Sequence, residues 1–157
     1  PYYPLEELRM IPGFERARFE DPVSGGKGNS MRYFNFAHVD ASLKADGKTN
    51  LFCGGERAGA MVGHTEAIVS GSLAGHNAAR AANGLAPVIL PETTAIGEFI
   101  GYVVKQMLDA ETRNKKYTFS GSVYFERMQA KNLYSTDDDA IKARVEAAGC
   151  TNIFSNL

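Results

Sequence analysis

The sequence predicts an α/β fold, with short strands in its first half and helices in its second half. Three observations support this prediction. An apolar run at Asn50–Cys53 leads through glycines into a helix. Side chains alternate at Arg32–Asp40, as is typical of a strand. Apolar residues recur at helical spacing after Thr94. The 157 residues suffice for one domain with its own core.

The first 40 residues are predicted to hold one helix and two strands. Pro4–Ile11 forms a short helix, because apolar residues recur at every third position until Pro12-Gly13 stops it. Arg16–Glu20 is a short strand, and the glycine-rich Ser24–Ser30 is a loop. The aromatic-rich Arg32–Asp40 is the second strand.

The middle of the chain is predicted as a strand, a loop and a long helix. A hairpin-type turn at Asp46–Lys48 leads to the strand Asn50–Cys53. The glycine-dense loop Gly54–Gly63 follows. The helix then covers Thr65–Ala82, and Asn83-Gly84 is a typical C-terminal stop.

The last part of the chain is predicted to be extended at Pro87–Pro91 and then helical. The helices run from Thr93 or Thr94 to about Ala110, from Gly121 to Lys131, and from Thr136 to Gly149. The last helix opens with Thr136 as its capping residue and acids in its first turn.

Composition limits the functions that can be expected. The formal net charge of −1 gives no global attraction to nucleic acid or to a membrane surface. No apolar run approaches 18 residues, so no membrane span is expected. Cys53 and Cys150 lie far apart and form no metal-ligand spacing with the histidines. They are interpreted as reduced thiols of a cytoplasmic protein.

The junction between the glycine loop and the long helix is the feature that indicates chemistry. Glycines allow a backbone to approach a bulky ligand, and a helix N-terminus offers free N–H groups to an electron-rich oxygen. Small residues also form a stripe along the helix: Ala67, Ser70, Gly71, Ala74, Gly75 and Ala78. Each helical glycine costs up to about 1 kcal/mol relative to alanine. Either a ligand or a closely packed element therefore lies against this stripe.

Three ordered segments carry a family resemblance. The run Leu51–Gly59, followed by Gly63–Ala67 and Gly71–Arg80, resembles the glucose-inhibited division protein A family of flavoproteins. It is most similar to the branch of folate-dependent tRNA uracil-5-methyltransferases. Met10–Phe19 and Pro91–Gly97 resemble the segments that the family places upstream and downstream of the flavin motif.

The resemblance implies a fold and a cofactor. The chain would be the C-terminal fragment of an FAD-binding, Rossmann-like domain followed by helices. Residues 1–90 would form the C-terminal half of that domain, and residues 91–157 its mainly helical end. The candidate FAD-binding residues, along the ribityl chain and the pyrimidine edge of the flavin, are Gly54, Gly55, Glu56, Arg57, Gly63, His64, Thr65 and Glu66. No catalytic residue is identified.

The resemblance also implies a reaction. The whole enzyme would transfer a one-carbon unit from methylenetetrahydrofolate to a uracil carbon of tRNA, with FAD carrying electrons and NAD(P)H as reductant. The tRNA-modifying members carry Gln where this chain has Glu56, and they lack its Arg57 and His64. That departure favours an alternative, an FAD-dependent oxidoreductase that acts on a small molecule without RNA. A non-catalytic assembly domain is the third hypothesis.

One half of a dinucleotide site is missing from the sequence. No G-x-G-x-x-G motif occurs, and Gly25–Gly28 has the wrong spacing and context. That motif holds the pyrophosphate in such folds. We therefore expect the chain to be a fragment that pairs with the N-terminal half of the flavin domain. Alone it is expected to bind FAD weakly or not at all. The sequence does not indicate an oligomeric state.

Overall fold

The structure is a computed structural model that describes residues 4–17, 36–59, 61–113, 115, 117–120 and 122–155. It consists of two compact units, residues 1–35 and residues 36–157. The first unit contains the short helix α1, Leu5–Arg9, which confirms the predicted helix near the start. Arg9 Nε donates a hydrogen bond to the carbonyl of Ala17 at 2.9 Å, which closes the turns after α1.

The second unit contains the four other α-helices of the described residues. They are α2 (His64–Ala82), α3 (Ala95–Met107), α4 (Ser122–Ala130) and α5 (Asp138–Ala147). Two 3₁₀ turns accompany them, at Gly55–Ala58 and Ile153–Ser155. All four helices were predicted from the sequence. In the part of the chain that the structure describes, none of the helices combines the length and apolarity needed to cross a bilayer.

The helix ends follow local capping chemistry. Gly84 has φ +71°, and the amide of Leu85 donates to the carbonyl of Arg80 at 2.9 Å, so α2 ends where predicted. Thr94 caps α3 by accepting from the amide of Gly97 at 3.1 Å.

The prediction that Thr136 caps the last helix is wrong. Asp137 is the cap, because its carboxylate accepts from the amides of Asp139 and Ala140 at 3.0 and 3.1 Å. A negative charge at this position also interacts favourably with the helix dipole. Helix α5 therefore begins one residue later than the sequence predicted.

The predicted strands are not confirmed. Among the described residues, only isolated bridges occur: Val39 with Ala45, Lys44 with Phe52, and Met61 with Tyr117. Arg16–Ala17, Phe36–Asp40, Asn50–Cys53 and Pro87–Pro91 contain no strand, while 18–35 lie outside the described residues.

A tight turn explains why Phe36–Asp40 does not continue as a strand. Asp40 Oδ1 accepts from the amide and hydroxyl of Ser42 at 2.8 and 2.5 Å, and from the amide of Lys44 at 3.2 Å. Leu43 follows with φ +66°. This carboxylate-centred turn competes with strand pairing. The described part of the fold is thus mostly helical, and the α/β, Rossmann-like architecture is not confirmed.

The core of the second unit is centred on α3. Its predicted apolar face is buried, with Phe99, Ile100 and Val103 each at most 1% exposed. Phe99 packs edge-on against Tyr124 of α4, with ring centroids 4.8 Å apart. Leu73 of α2 joins the same cluster, so the core connects α2, α3 and α4.

A buried carboxylate fastens α4 to α3. The Glu98 side chain is 2% exposed, and its Oε1 accepts from Arg127 Nε and Nη2 at 2.8 and 2.6 Å. Lys131 Nζ lies 3.2 Å from the same oxygen, and the Tyr124 hydroxyl donates to Oε2 at 2.9 Å. Burial by itself raises the pKa of Glu98. Hydrogen bonds from these three partners outweigh burial, so that pKa lies below its ordinary value.

Candidate functional site

The candidate site is an open groove between the loop 54–56 and one face of α2. Its volume is about 560 Å³, which is in the range of small-molecule sites. The residues that line it are Phe52, Gly54, Gly55, Glu56, Ala67, Gly71, Ala74, Gly75 and Ala78. Along the helix, the lining from Ala67 to Ala78 extends over about 16 Å. Five of the six residues of the predicted stripe, all except Ser70, therefore form one wall of this groove.

Gly54 brings the loop into contact with the helix backbone. A Cβ atom at Gly54 would lie 2.8 Å from both Cα and N of Gly71, and 2.9 Å from the carbonyl carbon of Ser70. Real Cβ atoms do not approach backbone so closely, so this position requires glycine.

Gly71 and Gly75 serve a different purpose. A Cβ atom at either position would meet no heavy atom within 4 Å. Their missing side chains therefore leave space in the groove rather than permit contact with another part of the described chain. The sequence had left open whether a ligand or a packed element lies against the stripe. The loop packs against it at Gly54, beside Gly71, while the Cβ positions of Gly71 and Gly75 face open space.

Ser70 holds the loop on the helix. The amide of Gly55 donates to Ser70 Oγ at 2.7 Å, and that hydroxyl donates to the carbonyl of Glu66 at 2.6 Å. Ser70 is fully buried. The Gly55 amide is thus satisfied by the protein and is not available to a ligand.

The start of α2 lies outside the groove lining. Gly63 precedes the helix with φ +132°, and His64 and Thr65 are exposed. Glu66 is 3% exposed, and its Oε1 accepts from the amide of Phe119 at 2.5 Å. A Cβ atom at Gly63 would overlap the Glu66 carboxylate. Glu66 is therefore committed to a contact within the fold.

The eight candidate cofactor residues thus fall into two groups. Gly54, Gly55 and Glu56 line the groove, and the neighbouring Arg57 is exposed. Gly63, His64, Thr65 and Glu66 form the start of α2 and do not line it. Their assignment to a cofactor stays a prediction.

The groove surface is nearly uncharged. Its lining consists of glycines, alanines, Phe52 and a single ionisable residue, Glu56. A glutamate carboxylate accepts hydrogen bonds and donates none. The lining is therefore suited to an uncharged ligand with an N–H or O–H group near Glu56.

Sequence reasoning missed the residue that positions α2. Asn77 is fully buried in mid-helix, and its Nδ2 donates to the carbonyls of Ser42 and Val88 at 2.9 and 2.8 Å. Its Oδ1 accepts from the amide of Val88 at 2.7 Å. An asparagine in the middle of a helix, where its side chain competes with backbone hydrogen bonding, was the available signal. Asn77 thus holds α2 against the two chain segments that contain Ser42 and Val88.

The other residues considered from sequence lie away from the groove. Cys53 is partly buried and packs against the core, in line with its reading as a small apolar residue. His76 is 9% exposed and contacts Phe154 edge-on at 5.2 Å. Phe36 is partly buried against the core, whereas Tyr33 and Phe34 lie outside the described residues.

Comparison with known proteins places the groove inside a recognised sequence family. A family model described as "Glucose inhibited division protein A" matches residues 4–86, just over half of the chain. All groove-lining residues fall within this match. No solved structure matches the chain.

Curated relatives are named methylenetetrahydrofolate–tRNA-(uracil-5-)-methyltransferase TrmFO. The protein of Thermosynechococcus vestitus is 41% identical over 97 residues, which are 61% of this chain and 20% of the relative. That of Lactobacillus helveticus is 41% identical over 95 residues, 60% and 22% of the two chains. That of Streptococcus agalactiae is 38% identical over 97 residues, 61% and 21%. The chain thus spans about a fifth of the length of the curated relatives it matches.

Proposed function

Because this chain belongs to the glucose inhibited division protein A family, we propose that it forms part of the flavin site of an FAD-binding enzyme. The whole enzyme would methylate a uracil carbon of tRNA with methylenetetrahydrofolate as the one-carbon donor, as the names of the relatives state for them. The observation that carries this proposal is the groove itself. It is formed by the glycine loop and the small-residue face of α2, both within the family match.

The residues of the groove fit the flavin end of FAD. The isoalloxazine ring is flat, and the open backbone at Gly71 and Gly75 leaves room for a flat group. Phe52 provides an aromatic wall. Glu56 offers an acceptor to a ribityl hydroxyl or to the ring imide N–H. The pyrophosphate would be held by the other half of the dinucleotide site.

In this proposal the chain binds and orients the cofactor. FAD supplies the electron transfer that one-carbon reduction requires. The hydrogen bond from the Gly55 amide to Ser70 fixes the position of the loop relative to α2. The absence of a side chain at Gly54 allows the loop to contact the helix backbone. The glycine and alanine wall excludes water from the part of the ligand that it covers. NAD(P)H as reductant stays a prediction of the resemblance.

The substitution Gly71→Leu tests the flavin site. The leucine side chain would enter the groove without meeting protein atoms within 4 Å of its Cβ, so the fold should be retained while the ligand is displaced. We expect the FAD affinity of the whole enzyme, which carries both halves of the dinucleotide site, to fall at least about tenfold in this variant.

Ser72→Leu is the matched control for that experiment. It places the same side chain one residue along α2, at an exposed position outside the groove lining. Circular dichroism would verify that both variants fold. Equal FAD affinity of the whole enzyme with Gly71→Leu or with Ser72→Leu would contradict the placement, and a whole enzyme that binds no FAD would contradict the proposed function.

Glu56 favours a second candidate function. An acidic residue in place of the glutamine of tRNA-modifying members suits an FAD-dependent oxidoreductase that acts on a small molecule. Assays of the whole enzyme distinguish the two. Transfer of a methyl group to tRNA uracil from methylenetetrahydrofolate supports the first candidate. Turnover of NAD(P)H without any affinity for tRNA supports the second.

A further inference from the structure

We propose that Arg127 and Lys131 form a contact site for the phosphodiester backbone of RNA on the exposed side of α4. These two residues are called the α4 cation pair. The proposal rests on the proposed function and adds to it a place where this chain meets the RNA. The pair lies beyond residue 86, where the family match ends, so the match itself assigns no role to it.

The first argument is the charge of the cluster that contains the pair. Arg127 Nη2 and Lys131 Nζ lie 2.6 and 3.2 Å from the same oxygen, Oε1 of Glu98. Two cations and one carboxylate leave one net positive charge. The Glu98 side chain is only 2% exposed, whereas those of Arg127 and Lys131 are 36% and 40% exposed. The negative charge is therefore buried beneath the two cations, and an anion that approaches α4 meets the cations first.

The second argument is that the pair keeps hydrogen-bond donors for a ligand. Arg127 uses Nε and Nη2 for Glu98, and its Nη1 has no partner among the described residues. In that part of the chain, the buried side-chain polar atom without a partner is His76 Nε2, so Arg127 Nη1 is accessible to solvent. The ammonium of Lys131 has three donors and directs one at Glu98. Both cations can thus bind an anion without leaving the carboxylate.

The third argument is that Arg127 is already held in place. Its guanidinium carbon lies 4.4 Å from the centroid of the Tyr102 ring, and two hydrogen bonds to Glu98 fix its plane. A guanidinium fixed in this way loses little side-chain freedom when it binds. Lys131 follows one turn later, about 6 Å further along the helix axis. The pair therefore presents a rigid planar donor and an adjacent ammonium, a combination that suits phosphate oxygens.

The surroundings of the pair favour an extended anion such as RNA. Glu126, the acidic residue of α4, points about 100° away from Arg127 around the helix. Val123, one turn before Arg127, is apolar and 57% exposed. This side of α4 is thus free of acidic side chains of the helix itself. A contact to one phosphate is weak alone, but RNA offers a row of phosphates whose contacts add together.

The test measures the affinity of the whole enzyme for tRNA over a range of salt concentrations. Lys131→Gln removes one cation, while Arg127 and Tyr124 remain bonded to Glu98, so the fold should be retained. Loss of one phosphate contact should lower the slope of log affinity against log salt by about 0.7–0.9. At about 0.1 M salt, the dissociation constant for tRNA should rise about fivefold.

Lys142→Gln is the matched control. It removes the same charge from α5, where the side chain is 73% exposed and lies 3.8 Å from Asp139. It should change neither the affinity nor the slope. An equal effect of the two variants would make net charge the cause and overturn the role of the pair.

Three other outcomes separate this inference from the proposed function. If the whole enzyme binds tRNA and Lys131→Gln changes neither affinity nor slope, the inference is overturned and the proposed function stands. A lower affinity with an unchanged slope also overturns the inference, because no phosphate contact was lost. A whole enzyme that binds FAD but has no affinity for tRNA overturns the inference and selects the small-molecule oxidoreductase.

Discussion

At the scale of single residues, the groove depends on glycines that are required for different physical reasons. Gly54 is needed because a side chain would overlap the α2 backbone. Gly55 is needed because its φ is +61°, a conformation that side chains disfavour. Gly71 leaves an open space. A substitution at Gly55 would therefore strain the loop whether or not a ligand binds, whereas one at Gly71 reports on the ligand.

Ser70 provides a test of how the loop is held. In Ser70→Ala the buried amide of Gly55 loses its partner, so the free energy of unfolding should fall by about 1–3 kcal/mol. Ser72→Ala is the control, because Ser72 makes the same bond to the carbonyl four residues earlier but is exposed. Its cost should stay below about 0.5 kcal/mol. Urea unfolding of both variants measures the difference, and equal losses would show that the bond to Gly55 contributes nothing.

The sequence predicted the importance of the glycine loop, because glycine density at a helix start is a local signal. It did not predict that Glu66 would point away from the groove. The partner of Glu66 is the amide of Phe119, 53 residues further along the chain. A local pattern contains no information about a contact at that separation. For the same reason, Ser70 was recognised as small but not as the residue that holds Gly55.

At the scale of helices and strands, local signals predicted helices well. The helices α2, α3, α4 and α5 depend on periodicity and caps that lie within a few residues of each other. The predicted strands that include Phe36–Asp40 and Asn50–Cys53 were not confirmed, because a strand needs a partner along its whole length and that partner can lie far away in the sequence. Here Lys44 and Phe52 form only an isolated bridge. The turn at Asp40 reverses the chain before a longer ladder of strand hydrogen bonds can form.

The contact between α3 and α4 predicts how stability depends on pH. The folded-state pKa of Glu98 lies below its unfolded value of about 4.3. Its contribution to stability is therefore fully present above that unfolded value and is lost as the pH falls through the folded pKa. Glu98→Gln should lower the free energy of unfolding by about 3 kcal/mol at neutral pH, since it leaves Arg127 and Lys131 beside a neutral group.

The difference in the free energy of unfolding between the unmodified chain and Glu98→Gln should therefore shrink below about pH 4, because the unmodified chain loses the same charge by protonation. Urea unfolding between neutral and acidic pH would measure it, with Glu126→Gln as the exposed-charge control. A stability difference that stays constant over this range would show that the Glu98 charge does not stabilise the α3–α4 contact.

At the scale of the whole molecule, the family match and the core do not coincide. The match ends at residue 86, yet the core that supports α2 includes Phe99, Val103 and Tyr124 from beyond it. The whole lining of the groove thus lies within the matched region, while part of the core that supports α2 lies beyond it. Family resemblance could therefore indicate the groove but not all of the residues that support it.

The hydrogen bonds made by α2 link it to three distant segments of the chain, and they lead to a prediction about folding. Ser70, Asn77 and Glu66 reach partners 15, 35 and 53 residues away. Loop-closure entropy rises only slowly with separation, so one formed helix can recruit all three segments. We expect α2 to be structured in the folding transition state, so that Asn77→Ala mainly slows folding in stopped-flow experiments. Removing the peripheral contact between Arg144 and the carbonyl of Leu133 should mainly speed unfolding. An Asn77→Ala variant that only unfolds faster would instead place the assembly of α2 after the rate-limiting step.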